Sequence, residues 1–303
     1  CGWVTGAAFV VGVSCWFLLR RRNRDLAVAG IKVAAVVGVL ASLVVMGTGD
    51  QSGVQIAKQQ PMKLAAAEGL EQGGAGAPFS IVPGVEMPNM LSILATHDIN
   101  GFVPGIHDIL NGYTTPDGTV HPSAAEKMER GRNAIAAFSR FREVRNTDPG
   151  EAAKAREELS QNMEYFGYGY LENAEQLVPN VPLVYWSFRI MVGGGGFMIL
   201  VFLTLVWLQR RGRIEESRPM LWLGVLTVPA AYLAGQAGWV VAEVGRQPWA
   251  IQDLLPVNAA VSGLATADVV TTFILFAVLF TLLLVAEIRI MCRAISNAPE
   301  ITK

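Results

Sequence analysis

The sequence predicts an all-α integral membrane protein: a helical bundle of five transmembrane helices with a large extracytoplasmic loop containing amphipathic helices. Charged residues make up only 16% of the 303 residues, whereas a soluble domain has about a quarter. Five apolar runs are each close to the roughly 20 residues that a helix needs to cross a bilayer. The net charge of -1 gives no reason to expect a nucleic acid as partner.

The apolar runs and the arginines between them predict an orientation. The runs cover approximately residues 3–19, 28–46, 182–208, 220–243 and 269–288. Arginines cluster directly after the first, third and fifth runs. Because five spans place these three clusters on the same side, the positive-inside rule makes that side the cytoplasm.

The long connection between the second and third spans then lies outside. We expect residues 1–48 to hold the first two transmembrane helices, 49–181 to form the extracytoplasmic loop, and 182–303 to hold the last three helices and a cytoplasmic tail. The loop is too long to be a simple connector. Charges and small apolar residues recur at helical spacing over 122–146 and 149–170, which predicts two amphipathic helices.

Two side chains near the outer start of the third span are unusual for a membrane helix. A buried arginine costs several kcal/mol on insertion scales, so Arg189 either reaches the interface or pairs with an anion. Met191 on its own is typical of packing, although a thioether also ligates haem iron. The glycine run 193–196 permits close approach of another helix or of a flat cofactor.

The end of the fourth span carries three polar or aromatic residues on one face. Trp239, Glu243 and Arg246 are spaced i, i+4, i+7, which places them on the same side of a helix. A local ion pair explains Glu243 and Arg246 equally well. Together with Arg189 and Met191, they lie near the outer membrane face, an arrangement that suits a redox cofactor with anionic propionates.

Lys63 and Glu68 follow the second span. They are five residues apart, roughly 140° around a helix, so they need not touch, although both can line a pocket. Two solvated charges on a loop helix explain them as well. The sequence assigns no role to His97, His107 and His121, whose spacing does not resemble a zinc site.

Four sequence blocks resemble subunit I of the cytochrome bd quinol oxidases. They are GDQSG at 49–53, QPMKLAAAE at 60–68, FRIMV at 188–192 and GWVVAEVGRQPW at 238–249. The resemblance implies the haem-carrying, quinol-oxidising subunit of a terminal oxidase. In that family, electrons pass from quinol through haem b558 and haem b595 to haem d, where oxygen is reduced to water, and the reaction contributes to the proton motive force.

The resemblance also implies roles for the residues near the outer face. Met191 corresponds to an axial ligand of haem b558, and Glu243 to the ligand of haem b595. Arg189, Trp239 and Arg246 correspond to residues around the haems, as propionate partners or as residues that tune the potentials.

Lys63 and Glu68 correspond to the quinol site, in the segment that the family calls the Q-loop. The substrate expected there is ubiquinol or menaquinol. A carboxylate is a suitable acceptor for a proton that the quinol releases.

Subunit I of this family has about nine spans, so we expect this chain to be its C-terminal part, with the fifth to ninth helices. The haem d ligand then lies outside this chain, and the chain alone is expected to be inactive. The resemblance implies a second membrane subunit, accessory subunits and a bacterial or archaeal cytoplasmic membrane. The alternative is a polytopic membrane protein without a redox cofactor, such as a transporter or a structural subunit.

Overall fold

The computed structural model describes residues 1–297. Within this range the α-helices are α1 (Gly2–Leu19), α2 (Arg24–Gln59), α3 (Pro61–Glu68), α4 (Met90–Thr96), α5 (Ile106–Asn111), α6 (Ala124–Val144), α7 (Pro149–Asn162), α8 (Val181–Arg210), α9 (Arg218–Val244) and α10 (Thr266–Ser296). Five of them, α1, α2, α8, α9 and α10, are long and apolar enough to cross a membrane. The predicted helical fold with five membrane helices is confirmed.

Short strands, which the sequence did not predict, accompany the helices. They are β1 (Gly74–Ala75), β2 (Phe79–Val82), β3 (Val85–Met87), β4 (Phe102–Val103), β5 (Tyr113–Thr114), β6 (Val120–His121), β7 (Trp249–Ile251) and β8 (Leu255–Pro256). They pair as four antiparallel two-stranded sheets, β1 with β4, β2 with β3, β5 with β6, and β7 with β8. Strands of two to four residues are too short to produce a readable alternation of apolar and polar residues.

Local sequence signals determine where α3 begins and ends. The second apolar run ends near Met46, yet α2 continues to Gln59, so the GDQSG block lies on a helix. Pro61 occupies the first position of α3, where its missing N–H costs nothing. Gly69 ends α3 in the left-handed conformation, with φ 64°, as a C-terminal glycine commonly does.

The chain forms two compact units. The first comprises Cys1–Ser42, Gly196–Tyr232 and the described residues from Val261. Its helices approach closely at glycines: a Cβ on Gly38 would lie 2.6 Å from the ring of Phe202. The buried Thr227 hydroxyl donates to the carbonyl oxygens of Ala8 and Gly224. Helix α10 has no buried residue in the described part of the chain.

The second unit comprises Leu43–Gly195 and Leu233–Ala260. Both predicted loop helices are present as α6 and α7, although α7 ends at Asn162 and a 3₁₀ segment follows over Met163–Tyr170. Helix α6 packs against α7 and against this 3₁₀ segment. Tyr168 of the segment lies edge-on to Trp249, with ring centroids 4.9 Å apart, in a buried apolar cluster.

The contact between α6 and the 3₁₀ segment depends on Gly131. A Cβ there would collide with the carbonyl oxygen of Tyr165 and the amide nitrogen of Gly169, which are backbone atoms. We expect Gly131→Ala to lower the free energy of unfolding by about 1–3 kcal/mol, the usual cost of overpacking. Thermal denaturation of the purified membrane complex measures this loss.

Gly47→Ala is the matched control, because within the described residues no heavy atom lies within 4 Å of a Cβ at that position. Alanine also favours a helix over glycine. Equal melting temperatures for the Gly131 and Gly47 variants would contradict this account of the contact.

Candidate functional site

The second unit contains a cavity of about 510 Å³. Small-molecule sites commonly have volumes of roughly 300–1,000 Å³. The wall combines residues from α3, from α6, from the 3₁₀ segment and from the segment after α9. The charged and polar groups in its wall include Lys63, Lys127, Tyr168, Arg246, Gln252 and Asp253. We call this space the main cavity.

Lys63 connects α3 to the end of α9. Its Nζ donates to the carbonyl oxygen of Ala242 at 3.4 Å. Burial lowers the pKa of Lys63 and the Arg246 guanidinium lowers it further, while the Glu243 carboxylate raises it. Gly245 leaves room for the lysine, because a Cβ there would lie 3.0 Å from Lys63 Cγ. The structure therefore brings Lys63, Glu243 and Arg246 together.

Glu243 and Arg246 form an ion pair, with Nη2 of the arginine 2.8 Å from Oε2 of the glutamate. This is the local pair that the i, i+3 spacing allows. Both side chains are nearly half exposed, and Trp239 is 66% exposed. An exposed pair of this kind contributes little to stability. The pair therefore leaves the carboxylate accessible.

Glu68 lies in a different place from Lys63. It lines a second cavity of about 230 Å³, together with Ser80 and Tyr185. Its side chain is almost fully buried, and Oε2 accepts a hydrogen bond from Nη2 of Arg189 at 2.9 Å. Lys63 and Glu68, which the resemblance assigned to one quinol site, therefore line two separate cavities.

Arg189 joins α8 to α3 and to β2. Its guanidinium donates to the carbonyl oxygens of Ala67 and Ser80 as well as to Glu68. It lies 3.6 Å from the ring centroid of Tyr185, a cation–π geometry. Its Nε is buried and has no hydrogen-bond partner among residues 1–297. Of the two expectations for Arg189, the structure shows an anionic partner, and that partner is a carboxylate of the protein.

The Glu68 carboxyl is expected to make stability depend on pH. Burial outweighs the neighbouring Arg189 guanidinium and raises the pKa of Glu68 from 4.5 to about 7. Because this pKa is higher in the folded than in the unfolded chain, the folded state binds the proton more tightly. The resulting stabilisation is complete below pH 4.5 and is lost as the pH rises through about 7. Glu68→Gln should remove this part of the pH dependence in thermal unfolding of the complex. Glu86→Gln, an exposed carboxyl on the same cavity, is the control that should keep it.

Met191 contacts α9 at a glycine. A Cβ on Gly238 would lie 3.2 Å from the Met191 sulfur. At Gly193, Gly195 and Gly235, no heavy atom of the described residues outside the adjacent helix backbone lies within 4 Å of where a Cβ would be. The thioether thus lies beside open surface on two helices. A thioether can ligate haem iron, and the open surface beside Met191 leaves room for a flat ring.

The histidines occupy three different surroundings. His97 pairs with Asp50 through Nε2 and Oδ2 at 3.1 Å on the surface, and His107 is exposed. His121 stacks on Tyr113, with ring centroids 4.4 Å apart, and lines the main cavity. In the described part of the chain, no group of three or more His, Cys, Asp or Glu side chains is placed to hold a metal ion.

Sequence reasoning missed one polar group in the main cavity. The Tyr168 hydroxyl donates to Oδ1 of Asp253 at 2.6 Å, and Gln252 Nε2 donates to the same oxygen at 3.0 Å. Lys127 Nζ lies 5.6 Å from the centroid of the Tyr168 ring. Tyr168 and Asp253 are 85 residues apart in the chain. Spacing therefore gives no signal for this group.

Comparison with known proteins identifies relatives along almost the whole chain. The model of the family described as "Cytochrome bd terminal oxidase subunit I" matches residues 1–299. Cytochrome bd-II ubiquinol oxidase subunit 1 of Escherichia coli is 34% identical, over 96% of this chain and 59% of the relative. Cytochrome bd ubiquinol oxidase subunit 1 of Bacillus subtilis is 28% identical, over 98% and 54%.

A solved structure has a similar fold. The chain aligns with the bd oxidase from Geobacillus thermodenitrificans at a TM-score of 0.64 and 22% identity. The alignment covers 98% of this chain and 56% of that one. The chain thus spans between half and three fifths of the length of these relatives.

Proposed function

The chain belongs to the cytochrome bd terminal oxidase subunit I family, and from this we propose that it is the haem-carrying, quinol-oxidising part of such an oxidase. Its reaction is the oxidation of a quinol coupled to the reduction of oxygen to water. Both curated relatives are named as ubiquinol oxidase subunits. The alternative, a membrane protein without a redox cofactor, is not favoured by family membership.

The observation that carries the proposal is the main cavity beside the end of α9. The cavity is large enough for a quinol ring, and Lys63 in its wall donates hydrogen bonds. The same lysine is next to Glu243 and Arg246. We assign the quinol headgroup, from ubiquinol or menaquinol, to this cavity, with Lys63 on one of its oxygens.

Three haems are proposed for the whole oxidase: haem b558, haem b595 and haem d. Met191 would hold haem b558 and Glu243 would hold haem b595, while the ligand of haem d lies outside this chain. Trp239, Arg246 and Arg189 would lie in the haem neighbourhood, as propionate partners or as residues that tune the potentials. When bound, the haems supply the electron acceptors and the site of oxygen reduction.

In this proposal Glu68 does not contact the quinol and acts through Arg189. It lines the second cavity, and it orients Arg189 through their hydrogen bond. Arg189 stands two residues before Met191 on α8. Glu68 is therefore a positioning residue that acts through Arg189, whereas Lys63 contacts the substrate.

The proposed location is a bacterial or archaeal cytoplasmic membrane, with the Q-loop on the outer side and the C-terminus in the cytoplasm. The arginine clusters after the first, third and fifth apolar runs support this orientation. The proposed main partner is the second membrane subunit of the oxidase, with small accessory subunits as further partners.

Oxygen consumption by the purified membrane complex tests the proposed function. Adding a short-tailed quinol, either decylubiquinol or a menaquinol analogue, should start oxygen uptake, and the quinol should be oxidised in a ratio of two per oxygen molecule. Absence of uptake with both quinols in a complex that contains haem would refute the proposal.

A further inference from the structure

The turn between β7 and β8 presents a carboxylate to the main cavity. Asp253 stands in this turn with φ 60°, a conformation that Asp adopts more readily than most residues. Its carbonyl oxygen accepts a hydrogen bond from the amide of Gly167 at 3.0 Å. A Cβ on Gly167 would lie 2.5 Å from that oxygen. A glycine is therefore required for the 3₁₀ segment to hold the turn.

The Asp253 carboxylate is oriented by two donors on a single oxygen. Tyr168 and Gln252 both donate to Oδ1, and among residues 1–297 no hydrogen bond is made to Oδ2. Tyr168 is buried, with 8% of its surface exposed, and burial raises its pKa. The tyrosine therefore stays protonated and remains a donor. Oδ2 is left available to accept a proton.

The wall of the main cavity carries Lys63 and Asp253, two groups that can interact with the hydroxyls of a quinol. The two hydroxyls of a quinol lie on opposite sides of the ring, and each loses a proton on oxidation. Lys63 is influenced electrostatically by Arg246 and Glu243, whereas Lys127 is influenced by Asp253 and Glu164. Lys63 and Asp253 therefore have different charged neighbours in the wall of the cavity.

We propose that Asp253, oriented by Tyr168 and Gln252, is a proton acceptor for quinol oxidation in the main cavity. The inference rests on the proposed function and extends it. One quinol O–H bond breaks and its proton moves to Oδ2 of Asp253. The second proton leaves to solvent. The two electrons go one at a time to the haems of the same oxidase, which are the oxidants.

Other titratable and charged groups lie near Asp253. They are Lys127 of α6 and Glu164, Tyr165 and Tyr168 of the 3₁₀ segment. Lys127 partly offsets the charge of the carboxylate. Exposed Glu164 also lines the cavity, so a proton on Asp253 has a carboxylate nearby through which to reach solvent.

Asp253→Asn in the complex tests the role, because asparagine keeps the shape and tolerates the left-handed backbone. We expect quinol oxidation to fall about 100-fold, within the usual range for removal of a general base. Equilibrium binding of ubiquinone-1, which carries no proton to be removed, should stay within threefold of wild type. Haem content should not change. Asp117→Asn, an exposed aspartate outside the cavity, is the matched control.

A second variant separates an acid–base role from a structural one. Asp253→Gly suits φ 60° and leaves space for formate, so added formate should restore part of the rate, as should a higher pH. If Asp253→Gly lost ubiquinone-1 binding and neither formate nor a higher pH restored activity, Asp253 would be a structural residue and the inference would be overturned. An unchanged rate in Asp253→Asn would also overturn it. Failure of the wild-type complex to oxidise quinol would instead refute the proposed function itself.

Discussion

Replacing Met191 by leucine is expected to remove the low-spin b558 component from the spectrum of the membrane complex. Leucine preserves the volume of methionine, so packing against Gly238 changes by less than about 1.5 kcal/mol. What is lost is the thioether sulfur, the only part of the side chain that can ligate haem iron. The reduced-minus-oxidised spectrum should keep the high-spin b-type signal while the low-spin signal disappears.

Met198→Leu is the matched control, because this methionine also lies on α8 but is buried, with 5% of its surface exposed. That variant should keep the complete spectrum. If Met191→Leu retained a normal low-spin signal, Met191 would be a packing residue and the assignment of haem b558 to α8 would be wrong.

Replacing Lys63 by alanine is expected to raise the KM for quinol by roughly 10- to 100-fold, with haem content unchanged. The estimate follows from the loss of a hydrogen bond to a charged group, worth about 1.5–3 kcal/mol. Steady-state oxygen consumption at increasing quinol concentration measures the change. Glu68→Ala, which acts through Arg189, should instead change the redox potential of the low-spin haem.

Lys154→Ala controls for the removal of a lysine charge, because Lys154 is exposed on α7 and does not line the main cavity. An unchanged KM in Lys63→Ala would place the headgroup elsewhere. An equal rise in KM for the Lys63 and Glu68 variants would contradict their separation into two cavities.

The membrane helices were predictable because their signal is local. An apolar run of about 20 residues and the arginines that follow it are read from a short window. The starts of α6 and α7 were also close to those predicted, because Ser123 and Asp148 are side-chain caps that precede a helical pattern, whereas α7 ends at Asn162 and not at the predicted 170. Capping residues of this kind indicate where a helix begins.

The arrangement of the site was only partly predictable. The i, i+4 spacing predicts that Trp239 and Glu243 share a face of α9, and the Glu243–Arg246 pair also follows from spacing. Arg246 itself lies beyond the end of α9 at Val244, so the predicted helical face does not extend to it. The Glu68–Arg189 pair joins residues 121 positions apart, and no local rule predicts it. The separation of Lys63 from Glu68 into two cavities depends on the β2–β3 hairpin, whose strands are too short for their pairing to be predicted from sequence.

A reduced-minus-oxidised visible spectrum of the membrane complex that contains this chain would decide whether it holds haem that a quinol reduces. We expect b-type haem bands together with a red-shifted d-type band, which appear when quinol is added and disappear when oxygen is admitted. A complex with no haem bands, or with haem that quinol does not reduce, would contradict the claim that this chain is part of a quinol-oxidising, haem-carrying subunit.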